Sequence, residues 1–288
     1  MAQIKEIKTR IKSVKNIGQI TKAMKMVAAA RLKRAQERIL GARPYAIKMA
    51  DVMKNLASKA GEEVHPLLAI RKEGPTALMV ITADRGLCGS FNTNVLRQAH
   101  HFMQENPETV LLTVGKKGRD FFKRRKYAIR REWLGVFPRV SMETVLEMRD
   151  EIERMFVAEK FKTVKILYTE FKSVITQKTT LDTLLPIKVA ELPGEGKKKD
   201  YEAGDYEFEP DIETIMEKLI SQYLATQIHR YLLESFSSEM GAKRNAMEAA
   251  SKNAGEMMAK LTLEFNRARQ AMITKEIAEI VGGAAALQ

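Results

Sequence analysis

The chain has 288 residues, 45% of them hydrophobic, and 49 Lys+Arg against 36 Asp+Glu give it a net charge of +13. That is enough apolar material to bury a core in one or two domains, which excludes global disorder. A single Cys88 excludes a disulfide framework, and four scattered histidines form no cluster with zinc-ligand spacing.

The charge is unevenly placed, since residues 1–60 carry 15 basic and 3 acidic side chains, or +12, while the rest of the chain is close to balanced. No apolar run is long enough to span a bilayer. The basic, amphipathic N-terminus lacks the apolar core of a signal peptide, and its pattern runs on past residue 30, so it is read as mature protein.

Proline is absent from 1–43 and from 211–288, and both stretches are expected to be long helices. In the first, assigned to residues 1–58, Ile4, Ile7, Ile11 and Val14 open a 3,4,3 spacing. A slip through Ile17, Ile20, Met24 and Val27 follows, and the heptad resumes from Leu32 to Leu56. This reads as a coiled-coil seam with one stammer and a second register shift.

The middle, residues 74–190, changes character. Short apolar runs at Thr76–Ala83, Val110–Val114 and Val164–Tyr168 are of buried-strand type, and helix-like stretches at 93–105, 116–125 and 141–159 separate them. Ser173–Thr183 is β-rich enough to add a later strand. Alternating strand and helix implies a mostly parallel, Rossmann-like α/β domain. A polar loop follows at 193–205.

The last stretch, residues 211–288, has Asp211 as its expected N-cap. Its apolar series runs with register shifts from Ile215 through Met247, Ala250, Ala254, Met257, Leu261, Phe265 and Ala268 to Met272, with Gly241, Gly255 and Gly282-Gly283 as weak points. Helices of about 55 and about 70 residues would reach roughly 80 and 105 Å, too long for a small core. They would pair antiparallel, leaving an apolar C-terminal overhang from Ala268 to Leu287 that needs a partner. The fold class is therefore α/β, with two long terminal helices forming an antiparallel coiled coil around an inserted Rossmann-like domain.

Chemistry-bearing motifs are sparse. The turn Thr82-Ala83-Asp84-Arg85-Gly86-Leu87-Cys88-Gly89-Ser90-Phe91-Asn92 lies where α/β folds bind phosphates, but it is neither a dinucleotide fingerprint nor a phosphate loop. A structural turn is the better reading, with Asp84 or Asn92 satisfying backbone amides. Cys88 has no base nearby in sequence and reads as a small buried residue. The basic groups Lys116-Lys117, Lys123-Arg124-Arg125-Lys126 and Arg130-Arg131 read as a solvated face. A basic N-terminal helix suits either nucleic-acid phosphates or an acidic protein surface. Aromatic interleaving is missing from 1–44, which weakens single-strand binding.

Three segments resemble the gamma subunit of F-type ATP synthases. They are Ile20-Thr21-Lys22-Ala23-Met24-Lys25-Met26-Val27-Ala28-Ala29-Ala30, then Asp84-Arg85-Gly86-Leu87-Cys88-Gly89 with Asn92, and then Asn266 through Ala284, with Ile273-Thr274-Lys275-Glu276 and Gly282-Gly283-Ala284 at the family's spacing. The resemblance covers the whole chain. It implies a noncatalytic rotor stalk that needs no cofactor and turns inside a hexamer of alpha and beta subunits, standing on the membrane c-ring beside the epsilon subunit.

The resemblance further implies that Lys22, Met24 and Lys25 meet an acidic loop of beta. Arg269, Gln270 and Thr274 meet its catch loop and Glu279 matches an acidic position in the same region, with Lys243 or Arg244 replacing a family arginine. Ile280, Val281, Ala284 and Leu287 form an apolar bearing tip, and Tyr206, Glu207 and Glu209 a foot toward the c-ring and epsilon. No nucleic acid is implied, and membrane contact runs only through partner subunits. The plant redox insert is missing, which points to the cytoplasmic face of a bacterial plasma membrane. The alternatives are a nucleic-acid-binding or scaffolding coiled coil, and a Rossmann-like enzyme using the glycine turn.

Overall fold

In a computed structural model, which describes residues 2–60, 65–188 and 212–285, the chain begins with helix α1 (Ala2–Ala60) and a short 3₁₀ turn (Pro66–Leu68). There follow β1 (Thr76–Ile81), α2 (Phe91–Glu105), β2 (Val110–Val114), α3 (Lys116–Arg124), β3 (Ile129–Trp133), α4 (Met142–Val157), β4 (Thr163–Phe171), β5 (Gln177–Leu185) and α5 (Ile212–Ala285). The expected N-cap Asp211 lies outside the described residues. The chain divides into two compact units, Met1–Ala29 with Lys243–Gln288, and Ala30–Ala242.

The larger unit is built on a five-stranded sheet ordered β3-β2-β1-β4-β5, parallel except for β5. β1 is central and packed on both faces, so it is a continuous apolar run rather than an alternating one. Leu78 and Val80 face α2 and α3 through Val95, Ala99, Met103 and Phe122. Met79 and Ile81 share the other core with Met148, Ile152 and Phe156 of α4, Met53 of α1, and Ile220, Leu224 and Ile228 of α5. Each fully buried side chain of this kind contributes about 1.5–3 kcal/mol of transfer free energy.

The three expected strands form, and the β-rich stretch after Ser173 becomes antiparallel β5. Strand β3 was not foreseen. Its sequence Ile129-Arg130-Arg131-Glu132-Trp133 reads as a charge cluster because it is an edge strand with only Trp133 buried.

α1 runs through Pro44, whose ring removes the hydrogen bond to the Leu40 carbonyl. Both residues are exposed, so water can take that carbonyl. α5 likewise passes through Gly241, Gly255 and Gly282, which therefore do not break it.

In the smaller unit α1 and α5 are antiparallel: a Cβ on Gly18 would lie 3.5 Å from that of Ala254, and further along α1 the Lys25 ammonium donates to Glu248 at 2.7 Å. The expected stammer does not exist. Ile4, Ile7, Ile11, Val14, Gly18, Thr21, Lys25 and Ala28 are all buried or half-buried, an unbroken 3,4 repeat. Ile17, Ile20 and Val27 face outward at 50%, 58% and 50% exposure. Large apolar residues suggested a slip, whereas small ones hold the seam and let the backbones approach closely.

The same holds on α5, where Met247, Ser251, Ala254, Met258, Leu261, Phe265, Ala268 and Met272 keep the repeat without a shift. Met257, expected inside, is 54% exposed and Met258 takes its place.

Candidate functional site

The glycine turn after β1 is spent on structure. Asn92 Oδ1 accepts from the Ala83 amide at 2.9 Å, and Asp84 Oδ1 accepts from the amides of Lys116 and Gly135 at 3.0 and 3.3 Å. Cys88 is buried, with the Asn92 amide donating to its sulfur at 3.1 Å. Ala83, Cys88 and Phe91 form a small apolar cluster against Ala242 of α5. In an open α/β sheet a ligand would enter at the carboxyl ends of the strands where their order reverses, which here is between β1 and β4. Helix α5 occupies that edge.

Helix α3 is anchored in the same way. The amide of Gly118 donates to Thr82 Oγ1 at 2.8 Å, and Thr82 donates to the Val114 carbonyl at 3.0 Å. Gly115 has φ +92°, and a Cβ there would strike the Thr82 carbonyl, so only glycine fits.

A half-open cavity of about 900 Å³ lies among α1, β5 and α5, lined in part by Ile39, Ile47, Leu184 and Ile187. Several polar groups of its wall are bound to one another: Arg230 to Glu234 at 3.0 Å and to Gln227 at 2.9 Å, and the Tyr231 hydroxyl to Asp182 at 2.6 Å. Glu234 Oε2 is buried without a hydrogen-bond partner, and burial, opposed by Arg230, raises the pKa of this carboxyl. Burial also pushes Tyr223 up to about 12. This network braces α5 against β5. Among the described residues no group of three or more His, Cys, Asp or Glu is placed to hold a metal ion, and no helix is long and apolar enough to cross a membrane.

Most of the residues singled out in sequence lie on the helices of the smaller unit. Lys22 is exposed and Met24 half-buried; Lys25 is held by Glu248, whose pKa is lowered first by that hydrogen bond and then by the Lys25 charge. Met24 shares a stripe with Ile17, Ile20 and Val27, at i, i+3, i+7 and i+10. That outward apolar stripe was misread as part of the seam. Lys243 and Arg244 are both half-buried, and Arg244 occupies the seam repeat one turn before Met247.

Arg269, Gln270, Thr274 and Glu279 are exposed, and Glu279 pairs with Lys275 at 3.6 Å. Helical spacing puts Gln270, Thr274, Ile277 and Val281 on one stripe, and Arg269, Ile273 and Ile280 on the next. Past Met272 no residue with a described side chain is buried: Ile273, Ile277, Ile280 and Val281 are 44%, 56%, 72% and 62% exposed. Ala284 belongs to α5, while Leu287, Tyr206, Glu207 and Glu209 lie outside the described residues.

Sequence reasoning missed the buried polar residues of α5, Ser235, Ser237 and Ser238. Their clustering just before Gly241, in a helix expected to be apolar on its inner face, was the available signal.

Fold and faces together define a helix-borne interaction protein, with a Rossmann-like sheet whose ligand edge is filled by its own chain. The family model described as ATP synthase matches residues 3–287. The ATP synthase gamma chain of Pelotomaculum thermopropionicum is 43% identical over 289 residues, and that of Desulforamulus reducens 44% over 288, each covering 100% of both chains. Among solved structures, a chain in the central stalk/c-ring of the Tetrahymena thermophila mitochondrial ATP synthase is 25% identical with a TM-score of 0.63, covering 81% of this chain and 99% of that one. A chain from the Euglena gracilis mitochondrial enzyme, at 21% identity, has the same fold with a TM-score of 0.69 over 99% of this chain and 95% of that one. The chain belongs to the ATP synthase gamma chain family.

Proposed function

We propose that this chain is the central rotor stalk of an F-type ATP synthase, carrying torque between a membrane c-ring and three catalytic beta subunits. Full-length identity of 43–44% to ATP synthase gamma chains is the observation that carries this reading. The chain is noncatalytic and works without a cofactor; its partners are the alpha and beta subunits, epsilon and the c-ring. Residues 1–58 and 211–288 supply the shaft, and 74–190 the inserted domain. It acts at the cytoplasmic face of a bacterial plasma membrane and meets the membrane only through its neighbours.

The side chains support a mechanism of differential contact. A shaft whose faces differ presents a different surface to each of three surrounding sites, and each site shifts toward the conformation that surface favours. Lys22, Met24, Lys243 and Arg244 make one contact level with beta, extended by Ile17, Ile20 and Val27. Lys25 contributes less than a free cation would, because Glu248 holds it. Arg269, Gln270, Thr274 and Glu279 make a second level, where polar groups grip. Ile280, Val281, Ala284 and Leu287 form a bearing in which apolar contact without directional bonds allows turning. Tyr206, Glu207 and Glu209 belong to the foot.

Reconstitution with an alpha/beta hexamer tests the reading directly. ATP-driven rotation of a bead fixed to this subunit is the expected result. A chain that binds DNA at physiological salt and never enters the hexamer would overturn it.

A further inference from the structure

We propose that Ser235 and Ser238 are positioning residues that latch α5 to the open edge of β4, so that sheet and helix turn as one body. The inference rests on the rotor reading above.

β4 is longer than its neighbour. The pairing of β1 with β4 ends at Val80 and Leu167, while β4 runs on to Phe171 beside β5. Beyond Leu167 the β1 side of β4 has no strand, and its backbone groups would be orphaned in the interior. Helix α5 stands in for that strand. The Thr169 amide donates to Ser235 Oγ at 3.2 Å, and Ser238 Oγ donates to the Thr169 carbonyl at 3.0 Å. All three residues are buried, at 3%, 1% and 0% exposure for Thr169, Ser235 and Ser238.

The geometry is specific. The amide and carbonyl of one strand residue point to the same edge, so Thr169 offers a matched donor and acceptor. Ser235 and Ser238, three apart on one helix face, meet both. Close approach is secured at Gly241, where a Cβ would sit 3.3 Å from the Phe171 ring. Two further bonds lie along the same stretch, Ser221 to Glu153 of α4 and Tyr231 to Asp182 of β5, each at 2.6 Å. These join side chain to side chain, whereas the serines grip the backbone of the sheet.

Apolar packing alone is non-directional and resists rolling of a helix about its axis poorly. Two directional bonds to one strand residue fix the azimuth of α5.

The test uses the whole complex in ion-tight vesicles with Ser235→Ala, Ser238→Ala and the double variant. Thr82→Val serves as control, since it removes a buried hydroxyl at the end of β1 that bonds to Val114 and Gly118 rather than to α5. Removing the acceptor should speed hydrogen exchange of the Thr169 amide by about tenfold or more. In the double variant ATP hydrolysis should persist while ions pumped per ATP fall, and fall further as the opposing gradient rises; the control should keep the wild-type ratio.

The latch is overturned if Thr169 exchange is unchanged, if the pumping ratio holds at every gradient, or if the control slips equally. Should the double variant not assemble, Ser238→Ala alone, which leaves only a carbonyl unpaired, is read by the same ratio. A wild-type complex that hydrolyses ATP without pumping ions would sink the rotor reading, and the latch with it.

Discussion

Helix α5 is one element with two physical regimes. Between Met216 and Gly241 it is buried on almost every side, in contact with sheet, α4 and α1, and its sequence mixes large apolar residues with serines that bond to the strand beneath. Between Met257 and Val281 the same helix buries only a stripe, and past Met272 none of its described side chains is buried. The helical repeat is common to both, so what separates them is the company each keeps. The first is sealed by its own chain; the second ends in exposed apolar side chains, the kind of surface that marks an interaction site.

The sharpest break in this comparison comes from matched truncations. Leu224→Ala and Ile228→Ala, both at fully buried positions, should each cost about 2–5 kcal/mol in urea unfolding. Ile277→Ala, at a residue 56% exposed, should change stability by no more than about 0.5 kcal/mol. Deleting the tip after Met272 should likewise leave the unfolding midpoint unchanged while assembly and coupled turnover fall. Full coupling after that deletion would remove the bearing role from Ile280 and Val281. Arg269→Ala with Gln270→Ala should slow multisite turnover without loss of stability, since both residues are exposed.

A second contrast concerns the seam. Gly18→Leu should wedge the helices apart at Ala254 and cost about 1–3 kcal/mol. Gly18→Ala meets Ala254 at ordinary contact distance and should stabilise by about 0.5–1 kcal/mol through helix propensity. A stammer at this point would erase the cost of Gly18→Leu, because Gly18 would then face solvent and both substitutions would stabilise through helix propensity.

The titrating groups separate the regimes more gently. Glu234 has its pKa raised by burial, so the folded state holds its proton more tightly than the unfolded chain. Its contribution therefore favours folding at acid pH and is lost as pH rises from the ordinary carboxylate value through the raised one. Unfolding midpoints of Glu234→Gln measured against pH should lose that downward slope.

Glu248 has the opposite sign. Its pKa is lowered by Lys25, so its contribution is present above the ordinary carboxylate value and disappears as pH falls through the lowered one. The pair is solvent-facing, and Glu248→Gln should produce the smallest shift of this series, shrinking further in high salt.

Much of the fold was legible because its signals are local and periodic. Proline-free termini, apolar runs separated by amphipathic stretches and the strand after Thr76 all report directly on backbone preference. The edge strand at Ile129–Trp133 was not legible, since a strand with one neighbour needs few apolar residues. The seam was misread at Ile17, Ile20 and Val27 because size was taken for burial. Of the candidate site, Arg269, Gln270 and Thr274 came from the family resemblance, and the structure adds that all three are exposed. That Lys25 is already paired with Glu248, across 223 positions, could not be read from the sequence.

The sequence by itself determined two long helices, an alternating middle and a charge of +12 gathered in the first 60 residues, because periodicity, proline placement and charge need no knowledge of neighbours. Only the tertiary structure decided which apolar residues face inward, and that α5 rather than a ligand occupies the edge of the sheet beside β4. Those outcomes turn on contacts between residues far apart in the chain, such as Thr169 with Ser235 and Gly18 with Ala254. There, the space left by one side chain sets what the other can do.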